Sequence, residues 1–367
     1  MRILYFSRYY TPHDHRFLSA LAETEHQTSY LRLEQNVVAY EASPLPEKIK
    51  PLAWRGGKSI VHWHDGPSLL RDIRRILQAI RPELVLAGPL QRSALLIALT
   101  GYKPLVSMSW GYDLIYDAQR NALWSWMTRY TLSKSSVMIG DCTTIRNLAV
   151  EYGMPAERII TFPWGVDLEK YSPKGDSYQA SKNQGFFTLL STRGWEPIYG
   201  TKMIAEAFIK AATSRPDIRL VMLGNGSQQA EIKQLFQQAG VINRVSTPGV
   251  VNQNGLPQYY HDADLYVSAS HSDGSSISLL EAMSSGIPVL VSDIAGNAEW
   301  VTSSENGWLF PDGDVDALAQ KILRAADLRN DLAQMGVRAH KLAEARANWK
   351  KNFPKLLTTF ELARQAN

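Results

Sequence analysis

The sequence predicts an α/β protein made of two doubly wound domains. Short apolar runs of strand length alternate with segments in which apolar residues recur at helical spacing. This pattern starts twice, at RILYFS (residues 2–7) and at FFTLLS (residues 186–191). Between the two halves, the polar stretch 172–185 contains no large aliphatic residue and is expected to be a linker. A length of 367 residues suits two domains of ordinary size.

Composition narrows the class of protein. Hydrophobic residues make up 45% of the chain and charged residues 20%, which is typical of globular domains. The net charge of +4 is too mild to require a nucleic-acid partner, but it suits an anionic ligand or a negatively charged membrane surface. The single cysteine, Cys142, excludes a disulfide within the chain and a cysteine-based metal site.

The expected cellular location follows from two patterns that the sequence lacks, a membrane-spanning segment and a signal peptide. There is no run of 18 apolar residues, and the N-terminal residues MRILYFSRYYTP do not resemble a signal peptide. We therefore expect a cytoplasmic protein that at most touches a membrane peripherally. The basic face of the predicted helix LLRDIRRILQAIRP would suit such contact, although a solvated face is the commoner explanation.

The first domain is expected to span residues 1–171. Its opening strand is followed by the loop YYTPHDHRF and the helix FLSALAETE, without the Gly-x-Gly-x-x-Gly of dinucleotide-binding proteins. The segment 43–58 is rich in Pro and Gly and is expected to be a surface loop. A predicted helix at 350–367, interrupted in pattern by Pro354, is expected to pack back on this domain.

Two loops of the first domain carry candidate functional residues. The loop with His13 and Asp14 could lie on the acceptor side of a site or be a plain polar loop, and a metal pair is the weakest of these interpretations. The predicted strand PLVSMSW ends in Trp110, and Asp113 follows three residues later. Asp113 could reach across a cleft between the domains, or it could simply cap a helix.

The second domain is expected to span residues 186–349, and three of its loops follow strands. Arg193 follows FFTLLS, Gly224 and Asn225 follow IRLVML, and Asp273 follows DLYVSAS in a strand–loop–helix–strand unit that also contains Glu281. Because ligands of open α/β sheets bind at the carboxyl ends of the strands, these loops are expected to converge on one site.

The residue types at this predicted site suit a phosphorylated sugar compound. Gly274, Ser275 and Ser276 precede a helix, where backbone N–H groups and the helix dipole favour a phosphate, although Ser276 could be an ordinary N-cap. Arg193 could clamp the phosphate or form a surface ion pair. Asp273 and Glu281 would accept hydrogen bonds from hydroxyl groups, and a glycosidase acid–nucleophile pair is the less favoured alternative.

Four segments together resemble the retaining nucleotide-sugar glycosyltransferases of family 4, which have two Rossmann-like domains in the GT-B fold. The segment SHSDGSSISLLEAMSSGIPVLVSDIAGNAEWV is similar to the family's Glu-(seven residues)-Glu motif and its flanks. The segments PWGVDLEKYSP, SWGYD and LGNGSQQAEIKQL resemble the Pro-Asn-Gly-Val-Asp segment, the first-domain Gly-Ser-Asp loop and the nucleotide-bordering loop. The resemblance covers nearly the whole chain.

The resemblance implies a role for each matching residue. Asp273 would lie beside the donor sugar, Glu281 would bind ribose hydroxyls, Arg193 would neutralise the diphosphate, and the backbone at Ser275 and Ser276 would meet the phosphates. The sequence departs from the pattern in three places. Asp273 replaces a glutamate, PHDHRF replaces a glycine-rich loop, and Tyr199 replaces a lysine that Lys202, three residues on, could substitute.

The activity implied is transfer of a sugar from a nucleoside-diphosphate donor to an acceptor hydroxyl with retention of configuration. Neither a metal nor another cofactor is implied, and the acceptor could be a glycan, a lipid-linked sugar or a small molecule. An epimerase or phosphorylase on the same fold, and a non-catalytic nucleotide-sugar-binding protein, are the alternatives. The resemblance does not identify the base, the sugar or the acceptor.

Overall fold

The computed structural model describes residues 1–35, 43–57, 60–173 and 185–366. Most of the linker predicted at 172–185 therefore lies outside the described residues. The strands are β1 Arg2–Ser7, β2 Gln27–Arg32, β3 Lys50–Pro51, β4 Leu84–Gly88, β5 Leu105–Met108, β6 Val137–Gly140, β7 Ile159–Thr161, β8 Phe187–Ser191, β9 Ile218–Leu223, β10 Val245–Gly249, β11 Leu265–Ser268, β12 Val289–Ser292 and β13 Gly307–Phe310.

The α-helices alternate with these strands, as the sequence predicts. They are α1 Pro12–Ala22, α2 Gly66–Ile80, α3 Leu95–Thr100, α4 Tyr112–Ile115, α5 Ala122–Lys134, α6 Thr143–Glu151, α7 Thr201–Ser214, α8 Gln229–Gln238, α9 Leu256–Asp262, α10 Ile277–Ser284, α11 Ala295–Ala298, α12 Val315–Asp327, α13 Leu332–Arg346 and α14 Trp349–Gln365. In the part of the chain that the structure describes, none of these helices is long and apolar enough to cross a membrane.

The chain divides into two compact units. Unit 1 comprises Met1–Trp164 and Asn352–Asn367, and unit 2 comprises Gly165–Lys351. The first unit is interrupted after residue 164 and resumes at residue 352. The sequence analysis placed these two boundaries at residues 171 and 350. The roles assigned to the two domains remain predictions.

Unit 1 is built on a parallel sheet with the strand order β3-β2-β1-β4-β5-β6-β7. Ser7, at the end of β1, is in register with Arg32 of β2 on one side and with Gly88 of β4 on the other. Strands β4, β5 and β6 are buried along their whole length, which explains their uninterrupted apolar sequences. The strand order reverses direction between β1 and β4, so this point is the topological switch point of unit 1.

Unit 2 repeats this arrangement with the order β10-β9-β8-β11-β12-β13. Its switch point lies between β8 and β11, where Leu189 is in register with Leu265. One face of the sheet packs on an apolar cluster that includes Phe208 of α7 and Ile322 of α12. The other face packs on a cluster that includes Leu280 of α10. The two-layer covering explains why β11 and β12 are fully buried.

Two local expectations about unit 1 are wrong. The segment PHDHRF is not a loop, because α1 begins at Pro12 with Thr11 as its N-cap. Thr11 and Asp14 form a capping box, in which each side chain accepts a hydrogen bond from the other residue's backbone N–H. The segment 43–58 is not loop alone, since Lys50–Pro51 adds an edge strand beside β2.

Candidate functional site

The candidate site is at the switch point of unit 2, where the loops after β8 and β11 meet. Gly200, in the first loop, has a φ of 58° and lies so close to the backbone of Ala269 that a Cβ would overlap its carbonyl. His271 N–H donates to the carbonyl of Ile198 at 3.0 Å. These backbone contacts fix the β8–α7 loop against the β11–α10 loop, and they bring together two residues 80 positions apart in sequence, Arg193 and Asp273.

The guanidinium of Arg193 is the centre of the site. Its Nη2 lies 2.8 Å from Oδ2 of Asp273, and both side chains are largely buried, with exposed fractions of 12% and 18%. Its Nη1 donates to the hydroxyls of Ser276 at 3.0 Å and Ser278 at 3.2 Å. The carboxylate and both hydroxyls therefore hold the guanidinium in a fixed orientation.

Burial and charge pairing act against each other in this ion pair. Burial raises the pKa of the Asp273 carboxyl above that of an ordinary aspartate, and the charge of Arg193 offsets part of this rise. Burial alone would lower the pKa of Arg193, but Asp273, together with Tyr266 and Tyr199, outweighs this effect and raises the pKa, so the arginine stays charged. The site thus keeps a buried cation whose one ion-pair partner among the described residues is the carboxylate of Asp273.

Tyr199 and Lys202 occupy very different surroundings. The ring of Tyr199 lies 4.2 Å from the guanidinium carbon of Arg193, which is a cation–π contact. Lys202, in the first turn of α7, is exposed and its ammonium bonds Glu231 of α8 at 2.6 Å. The structure therefore brings Tyr199 to Arg193, and it directs Lys202 to a surface ion pair instead.

The loop after β9 lies against the arginine loop. Asn225 accepts a hydrogen bond from the N–H of Trp195 at 2.8 Å through its backbone carbonyl, and Trp195 Nε1 donates to the carbonyl of Leu223 at 2.8 Å. Gly224 N–H donates to Gly249 at 2.7 Å. The predicted convergence of Gly224 and Asn225 with the Arg193 loop is thus present in the structure.

The residues before α10 form a buried turn. Gly274, Ser275 and Ser276 are all buried, and Ser276 is the N-cap of α10 without using its own hydroxyl as a cap. That hydroxyl accepts from Arg193 instead, while the hydroxyl of Ser275 accepts from Trp300 Nε1 at 3.3 Å. The first N–H groups of α10 therefore begin directly beside the Arg193 guanidinium, and the two together favour an anion.

Glu281 is a buried residue of α10 and not a solvated one. It is 3% exposed, and its Oε2 accepts a hydrogen bond from the hydroxyl of Tyr260 at 2.9 Å. Burial, followed by the charge of Glu281, raises the pKa of Tyr260 well above its ordinary value, so this tyrosine remains a donor. The tyrosine thus fixes the carboxylate's orientation.

Among the unit 1 candidates, His13 and Trp110 form an aromatic group. Their rings are stacked with centroids 5.3 Å apart, and Phe17 and Trp164 pack edge-on against Trp110. Asp14 does not present a free carboxylate beside them. It is buried in the capping box and also accepts a hydrogen bond from Tyr5 at 3.0 Å, so the predicted acceptor contact of Asp14 is replaced by a structural role.

Asp113 also turns into the interior of unit 1. It is 2% exposed and accepts hydrogen bonds from Ser109 at 2.6 Å, from Leu90 N–H at 3.0 Å and from Leu114 N–H at 3.2 Å. Burial raises its pKa to about 6 in spite of these bonds. The carboxylate therefore holds the β4 and β5 loops together, and the expectation that it reaches outward as a catalytic group is wrong.

Sequence reasoning included Ser276 but missed Ser278, and it missed that the hydroxyls of both residues support the arginine. Ser278 accepts from both Arg193 and the hydroxyl of Tyr266, the latter at 2.8 Å. Ser276 and Ser278 lie two residues apart, and their hydroxyls are 3.1 Å from each other. The sequence did contain a signal for this arrangement, the Ser-Ile-Ser spacing of residues 276–278. The side chains of an extended N-cap residue and of the second residue of the helix can point in the same direction.

Comparison with known proteins defines the class of fold first. The chain superposes on HepE of Anabaena in complex with UDP and glucose with a TM-score of 0.81 and 17% identity, covering 98% of this chain and 99% of that one. It superposes on sucrose-phosphate synthase from Thermosynechococcus elongatus with a TM-score of 0.81 and 16% identity over the full length of both chains. The chain therefore has the GT-B fold predicted from its sequence.

The sequence of the second half matches a known family. Residues 177–342 match the family described as glycosyl transferases group 1. The putative colanic acid biosynthesis glycosyltransferase WcaL of Escherichia coli is 28% identical over 199 residues, 52% of this chain and 48% of that protein. The UDP-Gal:α-D-GlcNAc-diphosphoundecaprenol α-1,3-galactosyltransferase of Escherichia coli is 30% identical over 181 residues, 46% of each chain. This chain thus spans about half the length of these curated relatives.

Proposed function

We propose that the protein is a retaining glycosyltransferase that transfers a sugar from a nucleoside-diphosphate donor to an acceptor hydroxyl. The observation that carries this proposal is the buried Arg193 guanidinium, oriented by Asp273 and two serines next to the N-terminus of α10. A fixed cation beside helix N–H groups is suited to a diphosphate. The family match and the biosynthetic roles of the named relatives support glycan synthesis as the context.

In the proposed reaction the bond between the anomeric carbon and the diphosphate breaks, and a bond to the acceptor oxygen forms on the same face. The proton of the acceptor hydroxyl passes to the departing phosphate. Negative charge grows on the leaving diphosphate, so Arg193 and the first N–H groups of α10 would stabilise the transition state more than the ground state. Asp273 would accept hydrogen bonds from the donor sugar, and Glu281, held by Tyr260, from the ribose.

The arginine would do the work that a divalent cation does in other sugar transferases, so we propose that no metal is required. A single contact of this kind contributes about 3 kcal/mol in a transition state. Its loss lowers the rate about 100-fold. Turnover should therefore fall about 100-fold in Arg193→Ala and should be unaffected by EDTA.

The test begins with a thermal-shift screen of nucleoside diphosphates to identify the base, since the tightest ligand raises the midpoint most. Release of that diphosphate from its sugar conjugates is then followed with Arg193→Ala, Glu281→Ala and the control Lys210→Ala, whose residue forms a surface ion pair with Asp316. Unchanged turnover in both site variants would disprove the assignment. Consumption of donor without acceptor, to give an isobaric product, would indicate an epimerase, and binding without turnover would indicate a sensor.

Peripheral attachment to a membrane remains a prediction. The basic face of α2 is exposed at Arg71, Arg74 and Arg75, as the sequence indicated. Co-sedimentation with vesicles that contain anionic lipid, compared with neutral vesicles, measures whether this face contributes.

A further inference from the structure

Unit 1 contains a cavity that none of the predicted site residues occupies. Its volume is about 450 Å³, within the range of about 300–1,000 Å³ that is usual for small-molecule sites. Tyr10, Tyr30, Arg32 and Trp54 contribute the large side chains of its wall. Tyr30 and Arg32 are among the last residues of β2, and Pro51 ends the edge strand β3, so the cavity lies at the carboxyl ends of these two strands, to one side of the switch point between β1 and β4.

The wall of the cavity is aromatic and fixed in place. The Trp54 ring packs edge-on against Phe6 of β1 at 5.6 Å, and its Nε1 donates to the carbonyl of Arg32 at 2.8 Å. Gly56 lies so close to this ring that a Cβ would overlap it. Tyr10 is held by a hydrogen bond between its hydroxyl and His15 Nδ1 at 2.7 Å. Rigid aromatic surfaces of this kind pack well against the C–H face of a sugar ring.

Charge distinguishes this cavity from an ordinary surface depression. Arg32 is partly buried, and its Nη2 donates to the carbonyl of Gly57 at 3.2 Å. It forms no ion pair with any residue in the described ranges, and no carboxylate is among the described residues that line the cavity. By contrast, the neighbouring Arg55 is exposed and has Asp72 as a partner at 3.5 Å. A cation that has lost part of its hydration without gaining a counter-charge favours an anionic ligand.

We propose that this cavity binds a saccharide unit that carries a carboxylate or a phosphate, and that this unit belongs to the acceptor. The sugar ring packs on Trp54 and Tyr10, and the anionic group pairs with Arg32. The assignment to the acceptor rests on the proposed function, whereas binding itself does not. The substrate class would then be an acidic or phosphorylated glycan in place of a neutral one.

The test measures binding without donor, so that it does not depend on turnover. D-glucuronate, D-glucose 6-phosphate and D-glucose are titrated into the full chain and followed by saturation-transfer NMR and calorimetry. Both the uronate and the phosphate share the proposed chemistry, so binding of only one of them identifies which group the natural ligand carries. Neutral glucose should bind at least about 10-fold more weakly than the better anionic sugar.

Substitutions in the cavity wall distinguish the contribution of the Arg32 charge from that of the aromatic surface. Arg32→Gln keeps a donor for the Gly57 carbonyl but removes the charge, and it should weaken binding of the anionic sugar about 10- to 100-fold. Arg32→Lys should retain part of the affinity, and Trp54→Phe should weaken all three sugars alike. Arg55→Gln is the matched control and should bind like the wild type. Thermal midpoints of the variants verify that each is folded.

The outcomes separate this proposal from the proposed function. Absence of saturable binding by both anionic sugars, equal binding of glucose, or wild-type binding by Arg32→Gln would each overturn the inference, whatever the transferase assay shows. Confirmed binding together with failed sugar transfer would establish the anionic-saccharide site and reject its assignment to an acceptor.

Discussion

Removing the charge of Asp273 should strengthen product binding while it slows catalysis. The carboxylate lies 2.8 Å from Arg193, so it is the charge nearest to any diphosphate that the arginine holds. In Asp273→Asn the arginine is free to pair fully with the diphosphate, and the repulsion between carboxylate and phosphate disappears. We therefore expect a lower Kd for the nucleoside diphosphate selected by the thermal-shift screen, and a lower kcat because the sugar loses a charged acceptor.

The size of the effect follows from Coulomb's law. Two unit charges about 6 Å apart repel each other by about 0.7 kcal/mol in bulk water and by about 2.8 kcal/mol at an effective dielectric constant of about 20. These limits correspond to a gain in affinity between about 3-fold and 100-fold. The ligand-free variant should melt at a lower temperature than the wild type, because a largely buried guanidinium has lost its counter-charge.

Calorimetric titration with the diphosphate is the appropriate assay, with Arg193→Gln as the partner variant. Loss of the cation should weaken binding about 10- to 100-fold, so the two halves of one ion pair should move the Kd in opposite directions. Asp273→Asn that binds the diphosphate more weakly than the wild type would refute the reasoning. Such a result would mean that orientation of Arg193 by Asp273 contributes more to diphosphate binding than competition between Asp273 and the diphosphate takes away.

Two further predictions concern Asp113 and Lys202, whose charged groups lie outside the cluster around Arg193. The raised pKa of Asp113, about 6 against an ordinary 3.8, means that its favourable contribution to folding is complete below about pH 4 and is lost as the pH rises through about 6. In thermal unfolding, the wild type should therefore gain about 2 kcal/mol relative to Asp113→Asn as the pH falls from about 7.5 to about 4.5. A loss of stability relative to the variant over this range would contradict the burial argument. Lys202→Ala should leave the Kd for the diphosphate unchanged, because its ammonium pairs with Glu231; a loss comparable to that of Arg193→Gln would show that the lysine does replace the family's usual one.

The sequence was sufficient to predict that Arg193, Gly224 and Asp273 converge. Each follows an apolar run of strand length, and parallel strands present their carboxyl ends at one edge of a sheet. It was not sufficient to predict that Asp273 pairs with Arg193. That contact depends on side-chain direction and on the close approach at Gly200, which joins residues 80 positions apart.

The errors at Asp14 and Asp113 have a common physical cause. Both carboxylates follow strands at the edge where ligands bind, and sequence position alone cannot show whether a side chain turns outward or inward. For Asp14 a local signal existed, since Thr11-Pro12-His13-Asp14 has the spacing of a capping box with proline at the first helical position. For Asp113 no such signal existed, because its partners Leu90 and Ser109 belong to the ends of two different strands.

These two corrections change what unit 1 can offer to a ligand. With Asp14 and Asp113 engaged in the interior, neither carboxylate is placed to accept a proton or a hydrogen bond from an incoming hydroxyl. Unit 1 also offers aromatic surfaces and cations to an acceptor. Trp54 and Arg32 combine the two, and the charge of Arg32 lacks a counter-charge among the described residues. The inward-turned carboxylates are thus consistent with two of our proposals, namely that the departing phosphate takes the proton of the acceptor and that the acceptor is recognised through an anionic group.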